Sequence, residues 1–331
     1  MSYLMPTYTA SDPATTVRPS STSLFVIDSE DRWRDYIESR AAVYSGTVKN
    51  LSPYDFEIRR AESLMNGFAS RLAVTELNFP WAIPNINVKT NEMSYTYTVS
   101  AQPAVTGVLT LIPGFYTPKS IADAISAFIS NLGVASLADF TMRYGSDGNP
   151  LFSYDTFSTT TIAFAPLAYE SPAYPYPTTT KQLFDLLGFT NTNTIAALGG
   201  FGQYTLCQSI RYVDIVSPTL VYNQANRDTM SQKVARNALC RIYLGDGGGT
   251  GQSTTAPGAA AFCPPGCAPF TIYRNFTQPK QIQWLGNQPI PGTLQFTVYD
   301  DTGAPLTELF QRGALEGEYL DWSMTLLVSE N

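Results

Sequence analysis

Met93-Ser94-Tyr95-Thr96-Tyr97-Thr98-Val99 alternates large apolar side chains with small hydroxyls, without a break. A period of two sends successive side chains to opposite faces of a pleated strand. Tyr, Thr and Val are also the residue types that suit such a surface. This stretch therefore predicts a strand with one buried face.

The same pattern recurs on both sides of it. Upstream, Phe56-Glu57-Ile58-Arg59 alternates apolar with charged. In Arg71–Phe79 the apolar phase slips from Leu72 and Val74 to Leu77 and Phe79, which predicts a bulge near Thr75. Downstream, short strands are expected at Phe140–Tyr144, Leu151–Tyr154, Thr161–Phe164, Leu206–Val216, Asn237–Leu244, Phe270–Tyr273, Lys280–Trp284 and Leu294–Tyr299. A last one, Trp322–Val328, lies close to the end of the sequence. Gly, Pro, Asn and Asp punctuate the intervals, as turns require. Helices are expected only as inserts. Thr117 can cap one that holds Pro118 in its first turn, carries Ile121, Ile125, Phe128, Ile129 and Leu132 on one face, and stops at Gly133. That face is expected to pack on a sheet. A second, short helix is expected over Lys181–Leu187, ending at Gly188. Many short strands with helices as inserts predict a mainly β fold, an antiparallel jelly-roll sandwich with one or two short helices in insertions.

Composition narrows the function. The chain has 331 residues, no histidine, a net charge of −7 and only 14% charged residues, against 13% aromatics. The absence of imidazole removes the commonest general base and metal ligand, so Ser-His-Asp and Cys-His catalysis and histidine zinc sites are excluded within this chain. No basic stripe is present to neutralise phosphates, so direct nucleic-acid binding is not expected. No apolar run reaches the roughly 20 residues that span a bilayer. Met1 to Pro6 lacks the basic and apolar regions of a signal peptide, and synthesis in the cytosol is expected, with the sequons at Asn50 and Asn275 unused. A surface low in charge and rich in Tyr resembles the core of an interface.

Candidate chemistry is sparse. Asp301-Thr302-Gly303 matches the aspartic-protease triplet, but one copy would need a symmetric dimer to supply two carboxylates, and Asp and Gly are ordinary turn residues. The Gly-rich stretch 245–252 lacks the lysine of a phosphate loop. Cys207 and Cys240 sit in apolar segments and read as buried thiols. Cys263-Pro-Pro-Gly-Cys267 suits a local disulfide or two thiolate ligands, but the other two cysteines make no second close pair, so no metal site is assigned. No catalytic residue and no cofactor are assigned, and the chain is not expected to be an enzyme.

The N-terminal region points elsewhere. Residues 1–22 form a Ser/Thr/Pro-rich arm, too poor in apolar residues to order itself. An apolar burst, Leu24 to Ile27, then breaks into the charges of Asp28, Glu30, Asp31 and Arg32. The burst can add a strand to a sheet edge, in its own fold or a neighbour's. Phe25, Ile27, Asp28, Asp31, Arg32 and Trp33 are therefore candidate assembly contacts. Tyr169, Tyr174 and Tyr176, in a Pro-rich loop, are candidates for a contact with a receptor or a subunit. As a sugar-stacking site, that loop would make the chain a carbohydrate-binding module on a vertex or fibre.

Several patches together resemble the minor capsid and penton proteins of double-jelly-roll DNA viruses, the group of polinton-like viruses, virophages and their large nucleocytoplasmic relatives. They begin at Phe25-Val26-Ile27-Asp28-Ser29-Glu30-Asp31-Arg32 and continue at Phe79–Ile86, Leu111–Pro118 and Leu186–Phe189. The last are Leu294–Gly303 and Asp321–Leu326. The resemblance implies a jelly-roll shell component; the pattern of elements shows no clean boundary, and one jelly-roll domain over 23–331 with an insertion around 115–205 projecting from the sandwich is expected. The resemblance further implies a homopentamer or cement protein in the virion, partnered by the major capsid protein and other minor capsid proteins and held to them by the arm.

Overall fold

The computed structural model describes residues 22–32, 52–59, 69–100, 102–145, 151–154, 160–167, 182–189, 194–195, 199–201, 203, 205, 207–221, 238–244, 269–277, 279, 281–283, 290, 292–307 and 320–330. Their elements run in the order β1 (Thr22–Asp28), β2 (Asp55–Arg59), β3 (Ala69–Trp81), β4 (Glu92–Val99), β5 (Val105–Thr110), α1 (Pro118–Ser130), β6 (Met142–Tyr144), β7 (Phe152–Tyr154), β8 (Thr160–Ala165) and α2 (Leu183–Leu186). There follow β9 (Thr194–Ile195), β10 (Gly199–Phe201), β11 (Tyr212–Val216), β12 (Ala238–Tyr243), β13 (Phe270–Asn275), β14 (Gln281–Gln283), β15 (Thr293–Tyr299) and β16 (Ser323–Glu330).

Two sheets carry the architecture. One has the order β1-β16-β3-β13, with β14 also on β3, and the other has the order β12-β11-β15-β2. All their pairings are antiparallel. First and last strands are neighbours in the first sheet, and the chain passes from sheet to sheet as it closes inward. That is the strand order of a jelly roll. Among the described residues the fold is thus mainly β with two short α-helices, as the alternation predicts.

Between the sheets lies one apolar core. Leu72, Phe79 and Trp81 of β3, Phe296 of β15, Ile215 of β11 and Met324 of β16 all bury in it. Phe56, Phe296 and Trp322 pack ring against ring, with centroids 5.4 to 5.8 Å apart. The phase slip in β3 is a true bulge. Thr325 of β16 pairs with Glu76 and Leu326 with Val74, which leaves Thr75 as the extra residue. Its hydroxyl donates to the Thr325 carbonyl at 3.2 Å, and its own carbonyl accepts from Phe276 N at 2.8 Å. The bulge lets Leu72 and Leu77 both face the core.

A second apolar core is built from residues between Ile86 and Cys207. It takes in residues of β4, β5, β6, β7, β8 and both helices. Helix α1 starts where Thr117 Oγ1 accepts from Ser120 N at 3.1 Å, and Gly133, with φ of 74°, follows its end. Ile121, Ile125 and Ile129 bury their stripe, and Met142 N of β6 donates to Ser126 Oγ at 2.8 Å. The chain enters this body from β3 and leaves it into β11. The two crossings touch: Asn85 Nδ2 donates to the Cys207 carbonyl at 3.3 Å, and Ser209 Oγ donates to the Pro84 carbonyl at 3.4 Å.

Two expectations need correction. The apolar run Leu206–Val216 is not one strand, because pairing begins only at Tyr212. Cys207 has a φ of 55°, in the left-handed region, and breaks the pleat before the strand can start. The second helix is shorter than Lys181–Leu187 suggests, spanning Leu183–Leu186 between the capping Gln182 and Gly188.

Candidate assembly edge at strand β1

The apolar burst forms β1, which pairs along its whole length with β16, from Thr22 opposite Ser329 to Asp28 opposite Ser323. It adds to its own sheet. Among the described residues no strand pairs with its other side.

The turn after β1 is locked to the far end of the chain. Ser29 is buried, and its backbone N–H donates to the Trp322 carbonyl at 2.9 Å while its hydroxyl donates to Asp321 Oδ1 at 2.7 Å. Trp322 N donates back to Ser29 Oγ at 2.9 Å. Arg32, with a side chain only 3% exposed, donates to the Ser29 carbonyl and to Asp321. Asp28 Oδ1 accepts from Glu30 N at 2.9 Å and shapes the turn. The charges of this segment thus fasten the corner of the protomer to itself.

Of the residues singled out for assembly, Ile27 and Arg32 are buried in the protomer, and Phe25 packs half-buried against the core. Asp28 and Asp31 are half-buried. Trp33 lies outside the described residues, as do Tyr169, Tyr174 and Tyr176, Cys263 and Cys267, and arm residues 1–21. The apolar side chains that β1 presents to solvent, beside Thr22, are Leu24 and Val26, 68% and 70% exposed. Sequence reasoning passes over them. Four consecutive apolar residues carry no alternation, so only pairing with β16 decides which pair points outward.

The other sheet edges differ. On β2, Arg59 makes two hydrogen bonds of 3.1 Å to Glu57 at the surface. On β12, Arg241 forks onto Asp214 at 2.7 and 2.9 Å and lies 3.8 Å from the centre of the Tyr212 ring. Its pKa is pushed further up, foremost by the hydrogen bonds it donates to the Asp214 carboxylate. On β13, Arg274 follows the exposed Tyr273. Charges on an edge discourage unwanted pairing. Strand β1 has none before Asp28.

Inside this edge, at the open side of the sandwich, is a cavity of about 70 Å³. Phe25, Val26 and Ile27 line it from β1, with Ile58, Leu294 and Leu326 from the neighbouring strands. Asp31 is its one charged lining residue.

The protease-like triplet has a structural role. Asp300 Oδ1 accepts from Thr302 N and Ala304 N at 2.9 and 2.8 Å, and Gly303 adopts a φ of 96°. Asp301 is paired with Arg211 at 3.0 Å and Asp300 with Lys89 at 3.3 Å. Buried carboxylates held by cations are not placed to share a proton across a dimer axis. Among the described residues no three His, Cys, Asp or Glu side chains converge as metal ligands, and no helix is long and apolar enough to cross a membrane.

No protein-family model matches the chain, and no curated protein does. Among solved structures, the mavirus penton protein aligns with a TM-score of 0.48 at 10% identity, over 94% of this chain and all of that one. A likeness of that degree carries no argument, and the jelly-roll assignment rests on the strand order itself.

Proposed function

We propose that the chain is a structural protein of a virion, a jelly-roll capsomer that assembles with copies of itself and with other capsid proteins into an icosahedral shell. The observation that carries this reading is the jelly-roll strand order combined with an apolar edge at β1 that carries no charge before Asp28. Jelly rolls serve as capsid, lectin and cupin domains. A fold alone does not choose among them. The lack of histidine disfavours a metal-dependent cupin. Exposed Leu24 and Val26, on an edge that no strand pairs among the described residues, favour a surface that is covered in use.

In this reading the protein is a penton-like homopentamer at the vertices, the major capsid protein is its neighbour, and the virion is its location. Residues 1–21 form the arm that ties it there. The arm must be tested without touching β1, because removing Thr22–Arg32 would take a paired strand and a buried Arg32 out of the fold. Deleting residues 1–21 should leave a folded protein that no longer enters particles. Native mass spectrometry of the intact chain, with its copy number in purified particles, tests the vertex role. Five-fold association supports it, and a strictly monomeric protein absent from particles removes it.

A further inference from the structure

We propose that two consecutive carboxylates, Asp300 and Asp301, lock the middle body at one angle to the sandwich by gripping both of its crossings. The lock is a property of this fold and does not depend on the shell reading.

A body joined by two crossings that touch has an axis to turn on. That axis passes where Asn85 meets Cys207 and Pro84 meets Ser209. Two bodies of one chain shift against each other by default unless a large apolar interface joins them, and a few residues of the connection absorb the turn. Among the described residues the two apolar cores are separate clusters. A contact beyond the axis is what fixes the angle, and Lys89 supplies one. It lies past Asn85 on the way to β4, and its amine donates at 3.3 Å to Oδ2 of Asp300, directly after β15 in the sandwich. Asp301 holds the other crossing. Its Oδ2 accepts from Arg211 Nε at 3.0 Å and from Arg211 N at 3.4 Å, one residue before β11.

Both ends of the Lys89 link are rigid. Asp300 Oδ1 accepts from Thr302 N at 2.9 Å, Thr302 Oγ1 at 2.6 Å and Ala304 N at 2.8 Å, which anchors the carboxylate in its own turn. On the other side, Lys89 N donates to Asn87 Oδ1 at 2.9 Å and Thr90 Oγ1 to the Asn85 carbonyl at 3.0 Å. A charge pair between two such fixed points carries the position of one body to the other. The side chains of Asp300 and Lys89 are 3% and 14% exposed. Desolvation offsets most of the attraction in a buried pair, so its effect falls on arrangement more than on stability.

The test places spin labels at Lys119→Cys on α1 and Tyr273→Cys on β13, both exposed positions. The full-length parent also carries Cys240→Ala, Cys263→Ser and Cys267→Ser, and keeps the buried Cys207. Double electron–electron resonance should give one narrow distance distribution in this parent, and a broad one would overturn the lock. Asp300→Asn keeps an oxygen for Thr302 and Ala304 but brings no charge to Lys89. In Asp300→Asn and in Lys89→Met the distribution should broaden about twofold or more, as a released hinge would allow. Lys89→Arg should keep it narrow. An unchanged distribution in the first two variants would overturn the proposal, and a broad one in Lys89→Arg would show that charge does not hold the angle. Amide hydrogen exchange in α1 and β3 should be the same in all of them. Faster exchange throughout both bodies would mean that the pair supports the fold and not the angle, which would also overturn the lock.

Discussion

Arg32 and Asp321 stand near opposite ends of the sequence, and the ion pair between them closes the corner at which the first and last strands meet. Their exposures are unequal, 3% for the arginine side chain and 32% for the aspartate. Loss of either partner should therefore cost different amounts. Asp321→Ala leaves a buried guanidinium short of its carboxylate and should destabilise by about 3 kcal/mol. Arg32→Met leaves an aspartate that water can reach, and about 1 kcal/mol is expected. Urea unfolding of the two variants checks the order, and equal losses would contradict this account. A second residue-scale prediction concerns pH. Burial pushes the Cys207 thiol and the Tyr154 phenol up to about 12. Their neutral forms are therefore favoured in the folded state. That stability is whole below the ordinary thiol pKa near 9 and is lost as pH rises from there towards 12. Melting temperature should be flat through neutral pH and fall above about pH 9. In Cys207→Ala the fall should be smaller, and an unchanged profile would exclude the thiol as a cause.

Strands were the most legible elements, because alternation reports a half-buried sheet wherever one face meets solvent. The slip around Thr75 was readable for the same reason, since a bulge reverses the phase of everything beyond it. Deleting Thr75 should thus be far worse than Thr75→Ala. The deletion turns either Leu72 and Val74 or Leu77 and Phe79 away from the core, and soluble, folded protein should not be recovered. Thr75→Ala loses one hydroxyl contact to Thr325, about 1 kcal/mol. Strand β5 escaped the pattern because Gly107 has no side chain to show its face. A Cβ there would lie 2.5 Å from the Tyr95 hydroxyl, so the glycine makes room for a ring on the neighbouring strand. The assembly edge was half legible. The burst marked β1, but its outward residues depended on the partner strand, which sequence spacing alone does not reveal.

At the scale of the whole molecule, the two apolar cores follow the chain in an instructive way. One is assembled from both ends of the sequence, the other from its middle. Because the middle body leaves and rejoins at touching crossings, it behaves as an insertion between β3 and β11. Replacing residues 86–207 by a short Gly/Ser linker should leave a folded sandwich with a β-rich circular dichroism spectrum. It should be somewhat less stable, since Asp300 loses Lys89. Collapse of that variant would show that the sandwich needs the second core.

The adjacency of Pro84 and Ser209 also carries a cost on the way to the native state. They are 125 residues apart in sequence, and drawing the ends of so long an unstructured loop together costs about 4 kcal/mol. If the middle body forms first, through its own local contacts, it acts as a clasp that meets this cost in advance. Strands β3 and β11 are then delivered to the growing sandwich as near neighbours. In that order of events a jelly roll, slow to fold because its pairings are remote, would carry within one of its loops a device that shortens its own search.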